Sequence, residues 1–231
     1  GEDRIGNIDF VKKDNLITTD DIIQRAKTDI KFQKALFDFL QNENDSLMQI
    51  GDKLDGSIVI SKTLIKNNID DLLNDEYEID RTELIRTIQE DGEKYISIQG
   101  EAGAGKSALC KKILADEELV LYARAEKISE SKNLEDIWGF DIRKAAKYLK
   151  QRRLVIYIDA LEFIADSAKT KLDLLQQIYE TVKAYNNIFV ITSCRSSDRN
   201  AFVKIENIYH IKTYEIDLLS DNQIIKVAQK Y

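Results

Sequence analysis

Eight consecutive residues have the types and spacing to hold phosphate. Gly100, Glu101, Ala102, Gly103, Ala104, Gly105, Lys106 and Ser107 complete the pattern Gly-x-x-x-x-Gly-Lys-Ser. The three glycines let the backbone wrap close to an anion with its N–H groups turned inward. A helix starting near Lys106 adds the positive end of its dipole. Lys106 is placed to reach the β- and γ-phosphates and the Ser107 hydroxyl to ligate Mg²⁺, with Ala108 completing the binding set. In a chain of average composition and this length, such a match arises by chance about one time in a hundred or less. The alternative is a plain glycine-rich turn.

A site of this kind needs a carboxylate at the end of a neighbouring strand to hold the metal through water. Asp159 ends the apolar run Leu154–Ile158 and is the only acid so placed; otherwise it would cap a helix. Glu162, three residues on, is a candidate to polarise the attacking water, or else a surface glutamate in a helix's first turn. Arg195 follows the apolar run 188–192, where a parallel strand would bring its carboxyl end beside the γ-phosphate. It reads as a phosphate sensor, or as one half of an ion pair with Asp198 or Glu162. Cys110 and Cys194 read as core, and Trp138 and His210 as structural. The basic run Arg143, Lys144, Lys147, Lys150, Arg152 and Arg153 fits a solvated helix face, with a nucleic-acid or acidic-partner surface as the alternative.

The elements that must position these groups follow from periodicity. Residues 94–99, 118–123, 154–158 and 188–192 predict strands, and 208–216 a fifth. Between them lie helices at 107–115, one along Leu134 to Leu149, and one carrying Leu175 to Tyr185 with Asn186 and Asn187 as a left-handed stop. This alternation predicts an α/β fold with a mostly parallel sheet between helices. The chain before it reads as a helical N-terminal extension. Thr19 and Asp20 cap a helix through Ile23, Ala26, Ile30, Phe37 and Leu40, broken at 41–46. Residues 57–61 read as extended and 64–73 as helical, with residues 58–61 and the segment after the fourth strand expected to line an adenine pocket. Asp80 caps a short helix with Leu84, Ile85 and Ile88 on its apolar face. The expected divisions are 1–78, 79–219, and 220–231 as the start of a further helical module.

Composition narrows the class. The 231 residues include two cysteines and one histidine, which removes a disulfide framework and a histidine-based metal or catalytic centre. No stretch is apolar enough to span a membrane, no signal peptide is visible, and a cytoplasmic location is expected. The net charge of −7 divides into −8 over residues 1–80 and +1 over residues 81–231, so neither part carries the strongly basic footprint of a nucleic-acid-binding domain. A start at Gly1 and an end within an apparent helix suggest a piece of a longer protein.

Four stretches together resemble the STAND class of P-loop NTPases, in its NACHT-like and bacterial antiphage AVAST-like branches. They are residues 98–107, 156–162, 190–195 and 214–223, and the likeness covers about 57–231. The resemblance implies an ATP-driven signalling or antiphage defence switch that alternates between ATP and ADP. It implies effector and sensor modules outside this stretch, and self-association of the full-length protein on activation. By matching position, Lys106 and Ser107 would bind phosphate and Mg²⁺, Asp159 would hold Mg²⁺, and Arg195 would be the sensor. The chain departs from the pattern at Ala160, where motors carry a second acid, and at Phe163, where NACHT proteins do; both departures imply slow hydrolysis. A guanine-reading Asn-Lys-x-Asp motif is absent from any suitable position. A small-molecule or nucleotide kinase and a non-hydrolysing structural ATP-binding module remain the alternatives.

Overall fold

The computed structural model describes residues 19–70, 81–165, 169–218, 220 and 225. Internal contacts divide the chain between Gly51 and Asp52. The first unit holds α1 (Thr19–Thr28) and the opening turns of α2 (Ile30–Asp70). The expected single helix through residue 40 is instead interrupted at Asp29, whose Oδ1 accepts the backbone N–H of Lys31 and Phe32 at 3.0 and 3.1 Å and so caps α2. The expected break at 41–46 is absent. Those residues are polar and mostly exposed but include no Gly or Pro, and polar residues on a solvated helix face cost only tenths of a kcal/mol each.

Residues 57–61 also lie in α2, not in a strand. Their β-branched side chains suggested extension, but burial follows a helical stripe through Leu54, Ile58, Ser61 and Ile65, while Val59 and Ile60 are exposed. Ser61 Oγ accepts the backbone N–H of Tyr122 at 2.9 Å, and Ser57 Oγ donates to the carbonyl of Trp138 at 3.1 Å. The expected boundary at 78/79 and the Asp80 cap lie outside the described residues, as does all of 220–231 except Ser220 and Ile225.

The second unit continues with α3 (Thr82–Asp91), β1 (Tyr95–Gly100), α4 (Lys106–Leu114), β2 (Val120–Arg124), α5 (Ala125–Glu130), α6 (Leu134–Trp138) and α7 (Ile142–Leu149). There follow β3 (Leu154–Asp159), α8 (Glu162–Ala165), α9 (Lys169–Lys183), β4 (Ile188–Arg195), a 3₁₀ segment (Ser196–Ala201), α10 (Val203–Tyr209) and β5 (Lys212–Ile216). The strands form one five-stranded sheet in the order β2-β3-β4-β1-β5, every pairing parallel. This is the fold of a P-loop NTPase. β3 is buried along its whole length, as a strand covered on both faces must be.

Three further expectations need correction. The single helix along 134–149 is two, because Gly139 takes a left-handed conformation at φ 81° and Asp141 starts α7 by accepting the N–H of Arg143. Asn186 and Asn187 are not left-handed; Asn187 Nδ2 instead donates to the carbonyl of Arg152 at 3.0 Å. Residues 203–209 form α10, so β5 is confined to Lys212–Ile216. Among the described residues no helix is long and apolar enough to cross a membrane.

Side-chain alternation along the strands decides what reaches the site. Ile96 and Ile98 of β1, Val155 and Tyr157 of β3 and Ile191 of β4 share one core with Leu109, Cys110 and Ile113 of α4. Asp159 is two residues beyond Tyr157 and so lies on the same face, directed toward the α4 side.

Candidate nucleotide-binding site

β1 enters the loop at Gly100, where there is no room for a side chain. A Cβ there would stand 2.6 Å from the carbonyl oxygen of Ile216 on β5. Gly103 and Gly105 take left-handed φ values of 79° and 87°, which cost glycine little. Between them Ala104 is fully buried, and its carbonyl accepts from the Arg81 guanidinium at 2.8 Å. Lys106 Nζ donates to the carbonyls of Gly100 and Glu101, both at 2.9 Å, and so folds back over the loop. Ser107 in the first turn of α4 places its hydroxyl 3.1 and 3.2 Å from the two Asp159 carboxylate oxygens.

Asp159 is held by more than Ser107. The Tyr157 hydroxyl donates to its Oδ1 at 2.8 Å and the Ser193 hydroxyl at 2.5 Å. Burial, followed by the neighbouring Cys110 thiol and the Asp159 carboxylate, pushes Tyr157 well above the usual phenol range, so it stays protonated and donates. Ser193 Oγ also accepts the N–H of Ala160 at 2.8 Å, and its carbonyl accepts the N–H of Leu161 at 2.9 Å. These bonds hold Ala160 at φ 60°, a left-handed conformation unusual outside glycine and costing about 1–3 kcal/mol. The turn directs Glu162 back toward the sheet end.

Glu162 and Arg195 meet. Arg195 Nε lies 3.1 Å from Glu162 Oε1, while Glu162 Oε2 is buried with no hydrogen-bond partner. Arg195 is therefore paired with Glu162 and not with Asp198, which accepts from Ser197. The order of strands explains the meeting. β4 lies between β1 and β3, with Arg195 opposite Gly100, so its carboxyl end stands between the loop and Asp159.

A cleft of about 580 Å³ collects these groups. It is lined by Ala102, Gly103, Gly105, Lys106, Ser107, Ala108, Asp159, Glu162 and Arg195 from the expected set. Gly100, Glu101 and Ala104 form the back of the loop without lining the cleft, and none of residues 58–61 lines it. Sequence reading missed Tyr157, Ser193 and Arg124. A hydroxyl in an otherwise aliphatic strand could have signalled Tyr157, and the rule that ligands sit at the carboxyl ends of parallel strands could have signalled Ser193 and Arg124.

The donor set fits Mg²⁺: a serine hydroxyl and one carboxylate are hard oxygens, and this ion takes its remaining oxygens from water and phosphate. No group of three or more His, Cys, Asp or Glu side chains able to hold a metal occurs among the described residues. Away from the cleft, the basic run is a solvated face. Arg143 pairs with Asp141, Arg152 with Glu118 and Arg153 with Glu117, and Arg153 also lies 3.6 Å above the Phe189 ring. Cys110 and Cys194 are buried, and Trp138 Nε1 donates to the carbonyl of Tyr122. His210 ends α10 in a left-handed conformation.

No family model matches the chain. It is 28% identical over 148 residues to a probable disease resistance protein of Arabidopsis thaliana; the match covers 58% of this chain and 15% of that protein. Its fold is similar to a Walker-type ATPase of Pyrococcus abyssi, with a TM-score of 0.52, 13% identity, and 66% of this chain against 57% of the other covered. DnaA of Aquifex aeolicus bound to AMPPCP aligns at a TM-score of 0.47 and 17% identity, covering 69% of this chain and 56% of that one, a likeness too loose to carry an argument. The chain thus spans a small part of the plant protein and somewhat over half of the ATPase. The parallel sheet and its flanking helices are the fold of a P-loop NTPase.

Proposed function

We propose that this chain is the ATP-binding, slowly hydrolysing switch domain of a STAND-type signalling or antiphage defence protein. The observation that carries the reading is the Arg195–Glu162 pair at 3.1 Å inside the phosphate cleft. Arg195 meets Glu162 through Nε, and a γ-phosphate bound beside it would compete with that carboxylate for the same guanidinium. The state of the phosphate thereby becomes a choice between two side-chain arrangements, which is what a switch requires.

Lys106 and the inward N–H groups of the loop bind the phosphates. Ser107 and Asp159 are the residues that would hold Mg²⁺, which supplies charge neutralisation on the β- and γ-oxygens. In hydrolysis, the oxygen of a water molecule attacks the γ-phosphorus. The bond from that phosphorus to the β,γ-bridging oxygen breaks with its electron pair on ADP, and the water proton passes to Glu162 Oε2, which has no other partner. With no second acid at Ala160, turnover is slow. Adenine over guanine follows from the missing guanine motif, and a role in defence is supported by the likeness to the plant protein. Effector and sensor modules outside this stretch, activation by self-association and a cytoplasmic location complete the proposal.

The test is the nucleotide carried by the purified protein, with its turnover. Retained ADP or ATP, tighter competition by ATP than by GTP, and hydrolysis well below about one per second support the switch, since metabolic enzymes run at about 1–10³ per second. Tens of turnovers per second, or transfer of the γ-phosphoryl group to a small molecule, would overturn it.

A further inference from the structure

The cleft holds a third cation that the switch mechanism leaves unused. Arg124 ends β2 directly opposite Asp159 and lines the same cleft as Lys106, Ser107 and Arg195. β2 and β4 lie on either side of β3, so Arg124 and Arg195 approach the Asp159–Glu162 turn from opposite sides. The Arg124 guanidinium lies 5.6 Å from the centroid of the Phe163 ring, the residue after Glu162. Its Nε is 3.1 Å from Glu126 Oε2, with the two side chains 46% and 39% exposed. A pair this open to water is weak, so the guanidinium can exchange Glu126 for a stronger anion.

Charge in the cleft says which anion. The charged side chains lining it are Lys106, Arg124 and Arg195 against Asp159 and Glu162. Glu162 occupies Arg195, and Asp159 is engaged by three hydroxyls. Beside Lys106 and Arg195, Arg124 is a further cation in the cleft, and its pair with Glu126 is exposed. Lys106 belongs to the loop itself and serves the phosphates that a diphosphate and a triphosphate share. Arg124 ends β2, one strand further from β1 and its loop than Asp159, so a longer phosphate chain brings more negative charge toward it than a diphosphate does.

We infer that Arg124 reads the third phosphate. Resting on the nucleotide reading above, this assigns it as a second residue, beside Arg195, that makes the site prefer a nucleoside triphosphate over the diphosphate. Its guanidinium donates to γ-phosphate oxygens while the Phe163 ring supports its plane. Glu126, released from Arg124, opens α5, which packs on α8, so occupancy of the third phosphate position reaches both helices bordering the cleft.

The test compares Mg-ATP and Mg-ADP affinities by calorimetry for the wild type, Arg124→Ala and Arg124→Lys. Arg124→Ala is expected to weaken ATP about tenfold or more, the scale of one charge-assisted contact, while ADP changes less than about twofold. Arg124→Lys keeps the charge without the planar fork and should fall between the two. Equal losses for ATP and ADP, or no loss for either, would overturn the assignment. Should Arg124→Ala fail to fold, as judged by its melt without nucleotide, Arg124→Lys decides alone: a loss confined to ATP supports the assignment and an unchanged ratio overturns it. A Lys106→Ala variant that loses both ligands places any failure with Arg124. A wild type that binds neither nucleotide would instead sink the nucleotide reading itself.

Discussion

Tyr157→Phe removes a single hydroxyl from a fully buried side chain and keeps its ring, so the effect can be worked from the bonds lost. The hydroxyl donates to Asp159 Oδ1 at 2.8 Å, and that oxygen keeps Ser193 and Ser107 as donors. A hydrogen bond to a charged group contributes about 1.5–3 kcal/mol, and the low end applies because the carboxylate is not left unpaired and no cavity opens. For a domain of this size, 1 kcal/mol corresponds to about 2–4 °C in the melting temperature, so a fall of about 3–6 °C is expected. The second consequence is specific to the site. Removing a group that orients a metal-binding carboxylate typically lowers metal affinity about 10–100-fold, and the two remaining donors favour the lower figure. ATP binding measured across a Mg²⁺ titration should therefore need about tenfold more Mg²⁺, while binding in EDTA stays as in the wild type. If the melt falls but the Mg²⁺ dependence does not move, Tyr157 is only a core residue and the reasoning about Asp159 fails.

Lys106→Ala should lower ATP affinity at least about tenfold, or about 1.4 kcal/mol, and abolish the thermal shift given by Mg-ATP; equal shifts in the two proteins count against the site. Glu162→Gln should spare binding and reduce the residual turnover about a hundredfold, and an unchanged rate removes Glu162 from the reaction. Gly100→Ala places a Cβ 2.6 Å from the Ile216 carbonyl, so urea unfolding should show about 1–3 kcal/mol of lost stability, with an unshifted midpoint refuting the close β1–β5 approach. Burial, then the Glu162 charge, pushes the Cys194 thiol up to about 12, and burial raises Cys110 further. The reactive thiolate is therefore scarce at pH 8, and neither thiol should react with a disulfide reagent until the protein unfolds; rapid modification of the native protein would contradict the burial.

From residue 94 onward the loop and the strands β1, β3 and β4 are legible because their local signals agree with the fold. The split at Gly139 and the helix before β5 are not. The loop spacing, the apolar runs of β1, β3 and β4 and the intervening periodicity all require a parallel sheet with its ligand at the strand ends, and Lys106, Ser107, Asp159, Glu162 and Arg195 do share one cleft. α2 was misread because β-branched residues at 57–61 carry a strand preference that burial of the Leu54–Ile65 stripe outweighs, and that stripe depends on contacts distant in sequence. Strand order was not written in the chain either. It is set by which apolar faces pack together, and placing β4 between β1 and β3 is what brings Arg195 onto Glu162. The same packing sets Tyr157 beneath Asp159 and Arg124 at the edge of the cleft. A motif is a local pattern that the sequence can spell out, whereas a partner across a sheet is chosen by burial summed over the whole core.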